Sequence, residues 1–171
     1  MPEVWLDNCK LDGFGYPQSI KGSDCAVLLQ DLATLKSDGS LGEKDSRFLR
    51  DFHSHDLQGF GHRDHLRLAW ALTKAHGLDI SEGLIRQGIK EFAEYQGAGN
   101  RYHETLTMFW VRIVNHAIQA RPDISNFDVF MESFPFLLDK NLPVRHWTSE
   151  RLWTDSARRR WIEPDLRSID G

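Results

Sequence analysis

Apolar residues that recur every three to four positions constrain the fold of this chain more than any other feature. The clearest case is the segment 101–120. Its apolar stripe consists of Tyr102, Leu106, Phe109, Trp110, Ile113 and Ala117. This spacing puts the stripe on one face of an α-helix. Since no segment shows convincing strand alternation, the sequence predicts an all-α fold.

Helical spacing recurs along the chain, and the segments that carry it are joined by short links. It predicts helices over 62–76 and from Asp79 through Ala93. A glycine follows the first of these, a Gly-Ala-Gly run follows the second, and Pro122 ends the 101–120 helix. Short links favour antiparallel neighbours. We therefore expect a compact bundle of about five to seven helices.

Polar residues at the predicted helix starts indicate where each helix begins. Asn100 is the expected N-cap of the 101–120 helix, and Asp79 with Glu82 resembles a capping box. Ser125 and Asp128 repeat that pattern before a further short helix.

The 171 residues suit one domain with an extension. We expect residues 1–45 to form an N-terminal extension, irregular at first and then carrying one helix that packs on the core. Residues 46–171 are the expected helical core, with two short helical pieces near 149–153 and 156–161 at its end.

Charge and cysteine content exclude several classes of function. The net charge of −4 gives no general attraction for nucleic acid or anionic membrane. No apolar run approaches the roughly 20 residues that span a bilayer. The N-terminus lacks the pattern of a signal peptide, and the only cysteines, Cys9 and Cys25, form no CxxC motif. We therefore expect a cytoplasmic protein.

Two short motifs, 61–66 (GHRDHL) and 102–107 (YHETLT), carry the residues best suited to chemistry. His62 and His65 are three positions apart, which places both imidazoles on one helical face. His103 lies on the side of its helix that faces the core, whereas Glu104 is rotated about 100° away. If the two helices pack together, their first turns can converge on one pocket.

The leading hypothesis is a small-molecule enzyme in which His62, His65 and His103 hold a divalent metal such as Fe(II), Zn or Mn. The metal would activate water, dioxygen or a substrate oxygen, so an oxygenase and a hydrolase or lyase both stay open. Glu104 or an unligated histidine, His103 among them, would move protons. The residues expected to bind or shape the substrate are Tyr102, Thr107 and Trp110.

Two alternatives use the same residues or the tail. A metal-free lyase, isomerase or cyclase would rely on His103 and Glu104 as acid and base. A non-enzymatic ligand- or partner-binding module would use the Arg- and Trp-rich tail over 145–165. Acidic residues dilute the charge of that tail and disfavour nucleic acid as a partner.

Within the tail, three tryptophans have spacing that suits docking on the bundle: Trp147, Trp153 and Trp161. Arg158 is a candidate for binding a substrate carboxylate or phosphate. A Trp-rich tail is also compatible with a homodimer.

The remaining histidines are expected to have structural or surface positions. We predict that His53 and His55 lie in a surface loop and that His76 ends a helix. His116 is three turns or more from His103, too far to share an ion, and is expected in the core with a hydrogen-bond partner.

The motifs FGHRDHLRLAW and YHETLT and the tail SERLWTDSARRRWIEPDL together resemble a small family of bacterial all-α proteins with no established activity. The similarity covers roughly residues 50–169. It implies that both histidine motifs and the tail belong to one domain, and it implies no catalytic role for any residue.

Overall fold

Three long helices form the centre of the computed structural model, which describes residues 41–170. The all-α prediction is confirmed, since these residues contain helices and no strand. The α-helices are α1 (Glu43–His53), α2 (His62–His76), α3 (Leu78–Tyr95), α4 (Glu104–Ala120), α5 (Phe127–Ser133), α6 (Ser149–Leu152) and α7 (Asp155–Arg159). Short 3-10 turns cover Gly99–Arg101, Pro135–Leu138 and Leu142–Arg145. The predicted extension, with its helix, falls mainly on residues 1–40 and lies outside the described residues.

Helix α2 is the central helix, because it packs against α1, α3, α4 and α5. Its residues from Leu68 to Thr73 are all buried, including Trp70, which has no exposed surface. A single apolar stripe was expected on this helix. The structure instead buries nearly the whole circumference of its middle turns, since neighbours surround it on several sides.

A single glycine separates α2 from α3. Gly77 has a φ of +79°, a conformation that other residues rarely adopt, and its N–H closes α2 on the carbonyl of Thr73. Helix α3 therefore begins at Leu78, and the predicted capping box of Asp79 and Glu82 is wrong. Glu82 instead accepts a hydrogen bond from Arg112 of α4 at 2.9 Å.

Two other predicted caps also differ from the structure. Asn100 lies in the 3-10 turn before α4, and the N-cap of α4 is His103. The N-cap of α5 is Asn126, whose side chain accepts hydrogen bonds from the N–H groups of Asp128 and Val129. In both places a residue later in the chain than the predicted cap reaches the free amides.

The tail docks on the start of α4 through buried side chains and hydrogen bonds. Trp147 is fully buried, and its indole N–H donates to the carbonyl of Ile162 at 3.1 Å. The hydroxyl of Thr105 lies 2.7 Å from the carbonyl of Ala157. Docking is confirmed for Trp147 and for the partly buried Trp161. Trp153 is 56% exposed and contacts the bundle only at its edge, where its ring meets that of His103 at a centroid distance of 5.7 Å. The tail thus packs against the segment 102–107, which contains the second histidine motif, and stabilises it.

Within residues 41–170, no helix combines the length and the apolar character needed to cross a bilayer.

Candidate functional site

The two histidine motifs meet at one cavity of about 590 Å³. Helices α2 and α4 both begin beside it, and the last turns of α3 form another wall. Six of the residues singled out in the sequence line this cavity: His62, His65, Tyr102, His103, Thr107 and Trp110. The rest of the wall is mainly apolar and includes Phe60, Ile85, Ile89, Phe92 and Leu106.

Of the three histidines in the two motifs, His65 makes the fewest hydrogen bonds. Its ring packs against Phe60 with a centroid separation of 4.2 Å, and no group in the described part of the chain is hydrogen-bonded to either ring nitrogen. Burial, with a smaller contribution from neighbouring His62, lowers the pKa of His65 to about 4. At neutral pH this imidazole is therefore uncharged and has one nitrogen that accepts and one that donates.

His62 lies one turn away with one nitrogen occupied. Its Nε2 lies 2.8 Å from the carbonyl oxygen of Leu137, which can only accept, so Nε2 carries the proton. The ring stands edge-on to Trp110 at a centroid distance of 4.5 Å. Burial is the main cause that lowers the pKa of His62. The Nδ1 lone pair is the part of this side chain left for a ligand.

Both nitrogens of His103 are committed to the backbone. Nδ1 accepts the N–H of Leu106 at 3.2 Å, and Nε2 then donates to the carbonyl of Leu152 at 3.0 Å. The side chain is 6% exposed, and burial lowers its pKa. In this arrangement His103 caps α4 and joins its first turn to α6.

Glu104 lies behind the cavity wall rather than on it. Its carboxylate accepts a hydrogen bond from Arg86 Nε at 2.6 Å and another from the Tyr102 hydroxyl at 2.7 Å. Burial and the charge of Glu104 raise the pKa of Tyr102, so this hydroxyl keeps its proton. Glu104 therefore orients Tyr102, and its bonds do not aim it at a substrate in the cavity.

Thr107 and Arg158 are also held by backbone groups. The Thr107 hydroxyl donates to the carbonyl of His103 at 2.9 Å. Arg158 is not part of the cavity wall, and its guanidinium donates to the carbonyls of Asn100 and Tyr102, both at 3.3 Å. Arg158 thus steadies the turn before α4 from outside.

Two basic residues line the cavity that the sequence did not single out: Arg101 and Lys140. Arg101 directly precedes the YHETLT motif, so its position was a usable signal. Lys140 lies in a turn after the 3-10 segment Pro135–Leu138, and nothing local in the sequence links it to the histidines.

The donor set does not make a three-residue metal site. Across residues 41–170, no group of three or more His, Cys, Asp or Glu side chains is arranged to hold a metal ion. His103 would have to break two backbone hydrogen bonds to become a ligand. Metal binding by His62, His65 and His103 stays a prediction.

The other histidines lie away from the cavity. His116 was expected in the core, but it is exposed, with Nε2 3.3 Å from Asp170 Oδ1. Its position on α4 turns it to solvent beside the buried Ala117. His55 lies after α1, and its ring stacks on Tyr95 at 4.4 Å. His53 is the last residue of α1.

Comparison of the chain with protein-family models, with curated proteins and with solved structures found no match. The resemblance of the motifs to bacterial proteins therefore stays a prediction, and function is argued from the cavity.

Proposed function

We propose that this protein is a small-molecule enzyme that works without a protein-held metal and uses His65 to move a proton. The single observation that carries the proposal is the state of His65. It is a neutral imidazole on a cavity wall, with neither nitrogen bonded to another described residue. Elsewhere in the two motifs, His103 and Glu104 are tied to other parts of the protein.

The cavity has the size and the lining that suit a small organic ligand. Such sites usually measure about 300–1,000 Å³ and combine apolar walls with a few polar groups. Here aromatic and aliphatic side chains line the cavity together with His65, His62 and Thr107. An apolar body would contact the walls while the polar groups orient the reacting end.

Proton transfer is the chemistry that these groups support. The neutral ring of His65 takes a proton from a carbon or oxygen of the substrate, and the imidazolium returns it at another position. The charge that remains on the substrate stabilises the imidazolium, so the pKa of His65 rises as the proton arrives. Return of the proton to another atom of the same molecule gives an isomerisation or a cyclisation. In a lyase reaction the imidazolium instead gives the proton to the departing group, which takes the electrons of its broken bond while the substrate forms a double bond.

The homodimer predicted from the Trp-rich tail stays a prediction. A cytoplasmic location and a divalent ion such as Fe, Zn or Mn also stay predictions. An added ion would find His65 and Nδ1 of His62 as its available imidazole nitrogens.

The experiment compares wild-type protein with His65→Gln in a metabolite extract followed by mass spectrometry. We expect the wild type to deplete at least one small molecule and to produce an isomer or elimination product, and the variant to do neither. His116→Gln is the matched control, because His116 is exposed and outside the cavity. Equal turnover by wild type and His65→Gln would contradict the proposal, as would the absence of any conversion.

A further inference from the structure

We infer that the ligand of this cavity is an anion: a small molecule with an aromatic or branched aliphatic body and one carboxylate or phosphate group, held by Arg101 and Lys140. This inference rests on the proposed function, since it names the class of substrate for the same cavity. The shared chemistry is a compact anionic group with several acceptor oxygens.

The charge of the lining is the first support. Arg101 and Lys140 both line the cavity, and its described lining residues include no aspartate or glutamate. The protein as a whole carries a net charge of −4. The positive charge of the lining is therefore opposite in sign to the net charge of the protein. Buried or half-buried apolar walls strengthen the field of such charges inside a cleft.

The two basic side chains are also free to bind a ligand. No carboxylate in residues 41–170 is ion-paired with Arg101 or Lys140. The nearby acidic groups have other partners. Asp64 accepts the N–H of Gly61 at 2.8 Å, and Asp139, next to Lys140 in sequence, pairs with Arg145 at 2.9 Å.

The position of each basic residue suits a charged end that stays close to water. Both side chains are exposed although they belong to the cavity wall, so their charged ends reach solvent. The charge of Lys140 also acts on His62 within the wall, where it contributes to a lowered pKa. An anion held at Lys140 would therefore lie near His62.

The apolar part of the wall defines the body of the ligand. Aromatic rings at Phe60, Phe92 and Trp110 and aliphatic side chains at Ile89 and Leu106 line the interior. A ligand that is charged at one end and apolar at the other would satisfy both parts of the cavity.

The test uses defined probes that differ in charge and little in shape. Binding of 3-phenylpropionate, its neutral amide and phenyl phosphate is measured by calorimetry and by ligand-observed NMR. We expect at least one anion to bind about tenfold or more tightly than the amide. Arg101→Gln and Lys140→Gln should each weaken binding of that anion several-fold and leave the amide unchanged. Arg159→Gln, an exposed arginine of α7 outside the cavity, is the control and should change nothing.

Each outcome decides the inference separately from the proposed function. Preference for the carboxylate or for the phosphate supports it and identifies the anionic group. An amide that binds as tightly as both anions overturns the inference and leaves an apolar ligand cavity in place. Anion binding that ignores Arg101 and Lys140, or that falls equally in Arg159→Gln, also overturns it, as does no binding by any probe. Conversion of metabolites by wild type but not by His65→Gln still judges the proposed function on its own.

Discussion

At His65, burial and the neighbouring His62 lower the pKa and keep the ring neutral. The ordinary pKa of 6.5 applies in the unfolded chain, whereas the folded protein holds the pKa at about 4. Between these values the unfolded chain binds more protons, so the free energy of unfolding falls as the pH falls. His62 and His103 act in the same direction because burial lowers their pKa values too.

We therefore predict that wild-type protein loses stability as the pH drops from 6.5 towards about 4, and that His65→Gln loses less. The difference between the two should approach about 3 kcal/mol, from roughly 1.4 kcal/mol per pKa unit. Urea denaturation at a series of pH values measures it. The same pH dependence in both proteins would mean that His65 titrates normally.

Glu104 stabilises the protein through its ion pair with Arg86. Its side chain is 6% exposed and that of its partner Arg86 is 26% exposed, at a separation of 2.6 Å. Removing one member of such a pair leaves the other charge poorly solvated.

We predict that Glu104→Gln and Arg86→Gln each lower the free energy of unfolding by about 2–4 kcal/mol. In a double-mutant cycle the pair should show a coupling of about 1 kcal/mol or more. The matched pair Arg159 and Asp155 is exposed on both sides, with 3.9 Å between nitrogen and oxygen, and should show no measurable coupling. Normal stability of Glu104→Gln would restore this carboxylate as a candidate catalytic group.

At the scale of elements, the start of α4 depends on His103 as an N-cap. One ring nitrogen accepts from Leu106 and the other donates to Leu152, so a single side chain serves two helices. Asparagine can replace the first bond, but its shorter side chain does not reach the second.

We expect His103→Ala to lower the free energy of unfolding by about 2–4 kcal/mol, the sum of a lost cap and an unpaired carbonyl. His103→Asn should lose about 1 kcal/mol less, since it keeps the cap. Thermal denaturation of both variants measures which of them loses more stability. Equal losses would show that the cap contributes nothing.

Element positions were predictable from sequence, and element starts much less so. The apolar periods found α2 and α4, because they follow from helical geometry alone. The predicted rotation of Glu104 away from a core-facing His103 was wrong, because His103 is the extended N-cap of α4 and both residues are buried. The caps at Asp79 and Asn100 were wrong, because tertiary contacts decided them: Glu82 binds Arg112, and His103 reaches Leu152. A local pattern contains no information about those distant partners.

At the scale of the whole molecule, the tail is part of the core rather than an appendage. Trp147 and Leu152 are fully buried with Phe109 of α4 in a second apolar cluster. Trp147 also meets Trp161 edge-on at a centroid distance of 5.4 Å. The tail therefore stabilises the same helix that carries His103.

Two tryptophans of the tail, Trp147 and Trp153, differ in burial, so the same substitution at each should have different effects on stability. We predict that Trp147→Ala lowers the free energy of unfolding by about 3–5 kcal/mol, the cost of emptying a large core position. Trp153→Ala should change it by no more than about 0.5 kcal/mol, because this side chain is 56% exposed. Chemical denaturation of both variants checks the contrast, and similar losses would contradict the buried docking of the tail.

The meeting of the two motifs is a property of the whole chain that no segment contains. Spacing predicted that His62 and His65 share a face, but only the arrangement of α2 beside α4 brings both to His103. Lys140 lies in the same cavity wall, in a turn whose sequence has no apolar periodicity that would predict this position. The candidate residues were therefore largely predictable. Their hydrogen-bond partners were not, and neither was the presence of Arg101 and Lys140 in the cavity wall.

Histidine-selective NMR of ¹⁵N-labelled protein, titrated with acid and then with 3-phenylpropionate, tests the central claim that His65 is a neutral group facing a ligand cavity. We predict that the His65 ring keeps the nitrogen shifts of a neutral imidazole until the pH approaches about 4. We also predict that the anion shifts the His65 signals and leaves those of the exposed His116 unchanged. A His65 that titrates at its ordinary pKa and ignores the anion would contradict the account.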